Sequence, residues 1–185
     1  MNEVAAVIPL HFCGEEGVWR FNKMRLLSLV LFGLLIVSDV IATTIKATVR
    51  SVVDGNTLDV LASDKRNLRV LLYGIDSPEL GQKFGIEAKK YLEEKVLNKH
   101  VSIEIKGKDA FGNLLGVVTT ESGIDIRVEL LKEGLAWTAE KDAIMDLEPY
   151  RTWAQRKGRG LWQEENPMPP WTYRRQQATQ KPKIR

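Results

Sequence analysis

The sequence predicts an α+β fold in which five short strands form a small closed barrel and about three helices pack around it. Three strand-like segments come before the first helical segment, and two more strand-like segments follow it. Five short strands in this arrangement are typical of a five-stranded Greek-key barrel, the OB architecture. The composition agrees, because 185 residues with 44% hydrophobic and 28% charged side chains suit one globular domain with additional length at an end.

The first three strands are predicted from alternation and from turn chemistry. Residues 45–53 alternate between apolar and polar side chains, and residues 57–61 resume after a turn signal at 54–56. We therefore expect a β-hairpin. Residues 68–75 form an almost continuous apolar run, which predicts a central strand. Pro78 cannot continue that strand, because proline has no N–H for the ladder.

The second half of the domain predicts two more strands and the helices. Apolar residues at helical spacing, or alternating with polar ones, identify these elements, and glycines end the last two helices. In chain order we expect a helix over 84–97, a strand over 101–105, a loop over 106–113, a strand over 114–120, and helices over about 124–133 and 147–157.

The first 42 residues are expected to lie outside this domain. Basic residues precede an apolar run from Leu26 to Val37, and small or β-branched residues lead up to Ala42. That order is typical of a signal peptide cleaved after Ala42, and Met24 is then a possible true start. The run is shorter than the about 20 residues that a membrane-spanning helix needs. An uncleaved N-terminal anchor is the alternative, and only such a leader would make the membrane a partner.

These patterns divide the chain into three parts. Residues 1–42 are the extension and signal peptide, residues 43–175 are the domain, and residues 176–185 are a basic tail that we expect to be disordered.

We expect an exported monomer, in the periplasm or outside the cell. Cys13 is the one cysteine and has no disulfide partner within the chain. A net charge of +3 permits nucleic acid as a partner without requiring it.

Five short motifs follow one another along the predicted domain. They are V-V-D-G-N-T at 52–57, Y-G-I-D-S-P-E at 73–79, F-G-x-x-A at 84–88, D-x-F-G at 109–112 and G-L-W at 160–162. Together they resemble the thermonuclease family of staphylococcal-nuclease-like domains, and the resemblance extends over residues 45–173. It implies an OB barrel that cleaves phosphodiester bonds of DNA and RNA with calcium. In such chemistry a glutamate positions water, two arginines stabilise the phosphoryl transition state and two aspartates hold the metal.

The resemblance assigns this chain only part of the family's functional set. Glu79 takes the place of the catalytic glutamate, and Asp76 takes that of one metal-binding aspartate. Asn56 occupies the other metal position, where a neutral carbonyl oxygen replaces a carboxylate. The two arginine positions hold Leu71 and Asn113. The resemblance therefore implies a nuclease-like site without either catalytic guanidinium group.

Other basic residues are candidates to supply the missing charge. Arg69 lies two residues before Leu71, hence on the same face of a strand, with about 6.5 Å between the two Cα atoms. Lys106, Lys108 and Phe111 fall in the predicted loop and are candidates for nucleic-acid contacts, with Phe111 where the family has a tyrosine. A lysine does not reproduce the planar fork of an arginine.

Structural roles are the alternative at several of these positions. Asp76 and Glu79 could stabilise the turn around Pro78, and Arg69 could be a solvated strand residue. The basic pair at 174–175 could contact phosphate, but a solvated face is the commoner explanation for such a pair. The tryptophans of the domain are expected to serve the core and to dock the tail rather than to stack on bases: Trp137, Trp153, Trp162 and Trp171.

The sequence leaves three functions open. The first is a degenerate nuclease domain that binds nucleic acid or a protein without cutting, because one lost arginine costs about 10³–10⁵ in rate at comparable sites. The second is a weak calcium-dependent endonuclease for DNA or RNA, with Arg69 as the substitute arginine. Calcium is the expected cofactor only in that case. The third is a structural or envelope-associated protein.

Overall fold

The structure is a computed structural model that describes residues 43–141 and 143–180. The predicted leader over 1–42 and the end of the tail over 181–185 lie outside these residues. None of the helices within the described ranges is both long and apolar enough to cross a membrane. The elements in chain order are β1 (Thr44–Val52), β2 (Thr57–Ala62), β3 (Asn67–Leu72), β4 (Ile75–Asp76), α1 (Gly85–Val96), β5 (His100–Lys108), β6 (Leu114–Thr120), α2 (Ile126–Lys132), β7 (Trp137–Thr138), a 3₁₀ turn (Met145–Leu147), α3 (Glu148–Arg156), a second 3₁₀ turn (Gly160–Gln163) and α4 (Pro170–Gln180).

Five strands close into a barrel in the order β1-β2-β3-β6-β5, with β5 pairing back onto β1. The pairs are antiparallel except for β3 and β6, which run parallel. The turn at 54–56 joins β1 and β2 as the expected hairpin, and the Asn56 N–H donates to the Asp54 carboxylate at 3.0 Å. The predicted α+β fold with a five-stranded barrel is confirmed.

Aliphatic side chains from alternate strand positions fill the barrel, and α1 and α2 cover it. Complete burial of one such side chain contributes about 1.5–3 kcal/mol relative to exposure. The fully buried set includes Val49, Leu58, Val60, Val70, Ile103 and Val118 from the strands, and Leu92, Val96, Ile126, Leu130 and Leu131 from the helices. The barrel is thus a packed support for the side chains at its rim.

The strand expected over 68–75 is two strands, and that prediction is wrong. The chain turns at Gly74, whose φ of 83° lies in the left-handed region that glycine adopts readily. The buried Arg127 donates from Nη1 to the Tyr73 carbonyl oxygen at 3.0 Å and so holds this turn. Beyond it, β4 leaves the barrel and pairs with β7. The turn directs Asp76, the last residue of β4, toward the rim.

The loop expected over 106–113 is shorter than predicted. A β-bulge between Ile105 and Gly107 lets β5 continue to Lys108, since an extra residue can be inserted without ending the pairing. Lys106 and Lys108 therefore lie on a strand rather than in a loop.

The helix α4 differs from the expectation of disorder for residues 176–180. It begins at Pro170, and proline suits the first position of a helix. The next residue, Trp171, packs edge-on against Trp137 with ring centroids 5.7 Å apart. Once a first turn is fixed in this way, each further residue adds a hydrogen bond at low cost, and glutamine and alanine are good helix formers.

Candidate functional site

A pocket of about 630 Å³ opens at the rim of the barrel, between the β1–β2 turn, the β3–β4 segment, the β5–β6 loop and α4. Most of the predicted site residues line it: Asn56, Arg69, Leu71, Asp76, Glu79, Phe111 and Asn113. Lys106 and Lys108 lie outside it on β5. A larger hollow of about 820 Å³ runs along β1, β2 and β5, but its lining consists of other residues. We place the candidate site in the pocket of about 630 Å³, because the residues with the relevant chemistry converge there.

An arginine from α4 lies between Asp76 and Glu79, two of the four acidic residues that line this pocket. Arg174 donates from Nη1 to Oδ1 of Asp76 at 3.1 Å and to Oε1 of Glu79 at 2.7 Å. Its Nη2 donates to Oδ2 of Asp76 at 2.7 Å. The contact with Asp76 is bidentate, which is the strongest arrangement for an arginine and a carboxylate. The hydrogen bonds of both carboxylates therefore run to Arg174.

The sequence did not reveal this contact. Asp76 and Arg174 are 98 residues apart, and the basic pair at 174–175 was expected to lie in solvent. The neighbouring Arg175 fits that expectation in part, because its side chain is 62% exposed, although it pairs with Glu140 at 3.0 Å. The one available signal was the P-P-W sequence at 169–171 just before the pair, which indicated that the tail docks on the domain.

The electrostatics of Asp76 reflect both burial and this ion pair. Its side chain is only 15% exposed, and burial raises the pKa of the carboxyl above its usual value. The hydrogen bonds and charge of Arg174 act in the opposite direction, while the nearby Glu79 and Asp54 carboxylates raise the pKa of Asp76 further. The Asp76 hydrogen bonds raise the pKa of Arg174, so this arginine stays charged at any practical pH. Asp76 thus sits where a neighbouring cation is strongly favoured.

The backbone around Glu79 is fixed by other residues. The buried Ser77 hydroxyl donates to the Gly55 carbonyl oxygen at 3.0 Å, which ties the segment to the β1–β2 turn. The Glu79 N–H donates to Oε1 of Gln82 at 2.9 Å, and Nε2 of Gln82 donates to the Met168 carbonyl oxygen at 3.0 Å. Gln82, rather than either carboxylate, supports this turn. The carboxylates are therefore available to bind Arg174.

The candidate substitute arginine is held by a neighbouring strand. Arg69 donates from Nε and Nη2 to the two carboxylate oxygens of Asp59, at 2.8 and 3.0 Å. The two residues face each other across the β2–β3 pair. Arg69 and Leu71 line the same pocket, as their spacing predicted, but the fork of Arg69 is engaged by Asp59.

Asn113, one of the two residues expected where the family has arginines, has structural contacts. Nδ2 of Asn113 donates to Oδ2 of Asp109 at 2.8 Å, and the N–H groups of Phe111 and Asn113 donate to Oδ1 of the same carboxylate. Asn113 thus helps to shape the β5–β6 loop. Phe111, at the tip of that loop, is 91% exposed. Lys106 pairs with Glu104 at 2.6 Å, away from the pocket.

The donors in this pocket do not fit a divalent metal as they are arranged. Calcium takes about six to eight oxygen ligands, with carboxylates prominent among them. Both oxygens of Asp76 and one of Glu79 are bound by Arg174, and Asn56 offers only a neutral amide. Across residues 43–141 and 143–180, no group of three or more His, Cys, Asp or Glu residues is placed to hold a metal ion.

Comparison with known proteins agrees with the fold and the motifs. The family model described as "Staphylococcal nuclease homologue" matches residues 69–164. An uncharacterized endonuclease of Haemophilus influenzae is 39% identical over 127 residues, which cover 67% of this chain and 70% of that protein. A micrococcal nuclease of Shigella flexneri is 32% identical over 152 residues, covering 76% of this chain and 87% of that protein. Protein ParB of Escherichia coli is 29% identical over 168 residues, or 85% and 94% of the two chains.

Proposed function

The chain belongs to the family of staphylococcal nuclease homologues, and on that premise we propose that it is a nucleic-acid-binding member whose hydrolytic site is degenerate. One observation carries the proposal. The pocket is lined by Glu79 and Asp76, which we assign to the family's glutamate and to one metal aspartate, and by Leu71 and Asn113, which we assign to its two arginine positions. The frame of the site is kept, while the groups that would stabilise a phosphoryl transition state are replaced.

The missing guanidinium groups determine the rate of cleavage that we expect. An arginine that meets phosphate charge in the transition state is worth about 10³–10⁵ in rate. Leu71 offers only an apolar surface, and Asn113 is engaged with Asp109. Glu79, the candidate for positioning water, accepts a hydrogen bond from Arg174, which lowers its availability as a base. We therefore expect cleavage to be very slow or absent.

Binding places weaker demands on the pocket than catalysis does. Phe111 presents an aromatic ring, and stacking of a base on such a ring contributes about 1–3 kcal/mol. Arg69, Lys141 and Arg174 bring guanidinium and ammonium groups to a lining that also holds four carboxylates, and Arg69 and Arg174 are already ion-paired. Lys108 lies exposed on β5 and could contact phosphates along the strand. OB barrels with these features suit single-stranded nucleic acid.

A weak calcium-dependent endonuclease is the second candidate. The names of the relatives from Haemophilus influenzae and Shigella flexneri favour it, as does the presence of Asp76 and Glu79 in one pocket. Calcium is a general requirement of the family. In this chain a calcium ion would have to displace Arg174, and Arg69 would have to leave Asp59 to act as the substitute arginine.

We also propose that the protein is exported and acts as a monomer in the periplasm or outside the cell. The support is the basic and then apolar pattern that ends near Ala42. Determining the N-terminal residue of the protein from cell fractions would test it. A start at Thr43 in an extracytoplasmic fraction is expected, and a retained leader in the membrane fraction would favour the anchored form.

Binding and cleavage are separated by one pair of measurements. We expect fluorescently labelled single-stranded DNA or RNA to bind in the presence of chelator. The affinity should fall with rising salt, with a logarithmic slope of about −0.7 for each phosphate contacted. Cleavage of the same strands is then followed with calcium, with Glu79→Gln as the control for contaminating nuclease.

The outcomes distinguish the three functions. Salt-dependent binding without cleavage above the Glu79→Gln background supports the degenerate nuclease. Calcium-dependent cleavage that disappears in Glu79→Gln would replace it with the weak endonuclease. Absence of both binding and cleavage would leave the structural role.

A further inference from the structure

We propose that Arg174 is the built-in cation of this pocket, occupying Asp76 and Glu79 in place of a divalent metal and keeping calcium out. This inference goes beyond the proposed function, because it concerns which cation the acidic pair binds rather than whether the domain binds nucleic acid. It rests on the three hydrogen bonds between one guanidinium group and two carboxylates.

The geometry of the contact makes metal and arginine mutually exclusive. Both oxygens of Asp76 receive hydrogen bonds from Arg174, at 3.1 and 2.7 Å. A calcium ion would need the same oxygens at about 2.3–2.6 Å. Each carboxylate oxygen has a further lone pair, but a calcium ion on it would lie close to the guanidinium, where like charges repel. We therefore infer that tight calcium binding displaces Arg174.

The charge of the pocket favours the arginine. A buried carboxylate without a partner is costly, and Asp76 is largely buried, so a positive group beside it is required. The second metal position of the family holds the neutral Asn56. Asp54 lines the same pocket and adds negative charge near Asp76, but its carboxylate accepts the Asn56 N–H at 3.0 Å. A guanidinium matches the planar carboxylate of Asp76 and reaches Glu79 as well, without the six to eight oxygen ligands that calcium takes.

The position of Arg174 is fixed on two sides. Trp171, at the start of α4, packs against Trp137, and Trp137 is the β7 partner of Asp76 itself. On the other side, a side-chain Cβ at Gly81 would lie 2.6 Å from the Tyr173 hydroxyl, so α4 closely approaches the segment after Glu79. A group tethered in this way acts at an effective concentration in the millimolar range or above. Free calcium must compete with it.

The test compares calcium binding by three forms of the full chain. The wild type, Arg174→Gln and Arg175→Gln are titrated with calcium, and thermal unfolding and heat of binding are measured. Arg175→Gln is the matched control, because it removes the same charge from the adjacent residue, whose partner is Glu140. We expect calcium to stabilise only Arg174→Gln, raising its Tm by about 5–10 °C at 100 times its Kd.

Two further variants make the result specific. Adding Asp76→Asn to Arg174→Gln should abolish the calcium response, because it removes the main carboxylate ligand. Arg174→Lys keeps the charge but lacks the planar fork, so it should bind calcium more weakly than Arg174→Gln and more tightly than the wild type. If Arg174→Gln does not fold, Arg174→Lys takes its place in the comparison of calcium binding with the wild type.

Two results would overturn the inference. One is calcium binding by the wild type that is as tight as in Arg174→Gln and is lost in Asp76→Asn. The other is a folded Arg174→Gln, or a folded Arg174→Lys if the first variant does not fold, that shows no more calcium binding than the wild type. None of these measurements uses nucleic acid, so they fail or succeed independently of the proposed function.

Discussion

At the scale of single residues, Phe111 presents its ring to solvent at the mouth of the pocket, with 91% of the residue exposed. If a base stacks on this ring, Phe111→Ala should weaken the binding of single-stranded DNA by about 1–3 kcal/mol, or about five- to 150-fold. Fluorescence anisotropy at one fixed salt concentration measures the change. Ile86→Ala is the control, because Ile86 is another exposed apolar side chain, located on α1. Equal effects of the two variants would argue against stacking.

The pair formed by Asp59 and Arg69 gives the protein a predictable response to acid. The hydrogen bond from Arg69 lowers the pKa of the Asp59 carboxyl. A carboxyl with a lowered pKa stabilises the fold at pH values above its unfolded pKa of about 3.9, and this stabilisation is lost as the pH falls through the folded pKa. The difference in Tm between the wild type and Asp59→Asn should thus be present at neutral pH and shrink below about pH 4.

The pair is partly exposed, with side chains 48% and 38% accessible, so its contribution should be small. We expect a double-mutant cycle with Arg69→Gln to give a coupling of about 1 kcal/mol or less at neutral pH. A Tm difference that does not change between neutral and strongly acidic solution would show that the ion pair is not its source.

Single residues were predictable where the relevant signal is local in sequence. The placement of Arg69 and Leu71 in one pocket follows from the two-residue period of a strand. The convergence of Asp76 and Glu79 follows from a motif that spans four positions. Arg174 could not be found in this way, because no period or motif relates it to residues so far along the chain. Its role depends on where α4 docks.

At the scale of elements, α4 and β4 are the ones that depend most on distant partners. Most of α4 is polar on every side, so it lacks the apolar stripe from which a helix is predicted. Distant contacts stabilise it instead: Trp171 packs on Trp137, and Arg174 and Arg175 form ion pairs with the body of the domain. Similarly, β4 is a separate strand only because β7 pairs with it. The barrel strands, by contrast, were predicted from their own local patterns, which are alternation in some and an apolar run in β3.

The anchoring role of Trp171 can be tested by hydrogen exchange. Trp171→Ala removes the edge-on contact with Trp137, so the amides of residues 172–180 should exchange about tenfold faster or more, while those of α1 are unaffected. Trp153→Ala is the control, since Trp153 is 44% exposed on α3. Unchanged protection of α4 in Trp171→Ala would mean that other contacts hold the helix.

At the scale of the whole molecule, the described domain is stabilised by packing and other non-covalent contacts, without a covalent cross-link. The chain's one cysteine lies outside the described residues, so no disulfide contributes. Strands and helices from the first and second halves of the chain fill a common core. The sequence predicted this core because buried positions repeat every two residues in strands and every three or four in helices. It did not predict the parallel pairing of β3 with β6, which closes the barrel.

Leu58 tests how far this core supports the entire domain. It is 0% exposed in the barrel, and Leu58→Ala should lower the free energy of unfolding by about 2–5 kcal/mol. Urea unfolding followed by far-UV circular dichroism measures the change. Leu80→Ala, at a position 45% exposed, should change it by less than about 0.5 kcal/mol. If Leu58→Ala lowered the free energy of unfolding as little as Leu80→Ala, the core would be able to collapse around the cavity.

The distance along the chain between Asp76 and Arg174 also means that the two residues are synthesised at different times. Ribosomes add about 5–20 residues per second. The 98 residues that separate the two partners therefore take about 5–20 s to make. During that interval the nascent chain already contains both carboxylates, and their arginine has not been synthesised. The acidic pair is then open to whatever cations the surrounding fluid holds, until the last helix is made and takes its place.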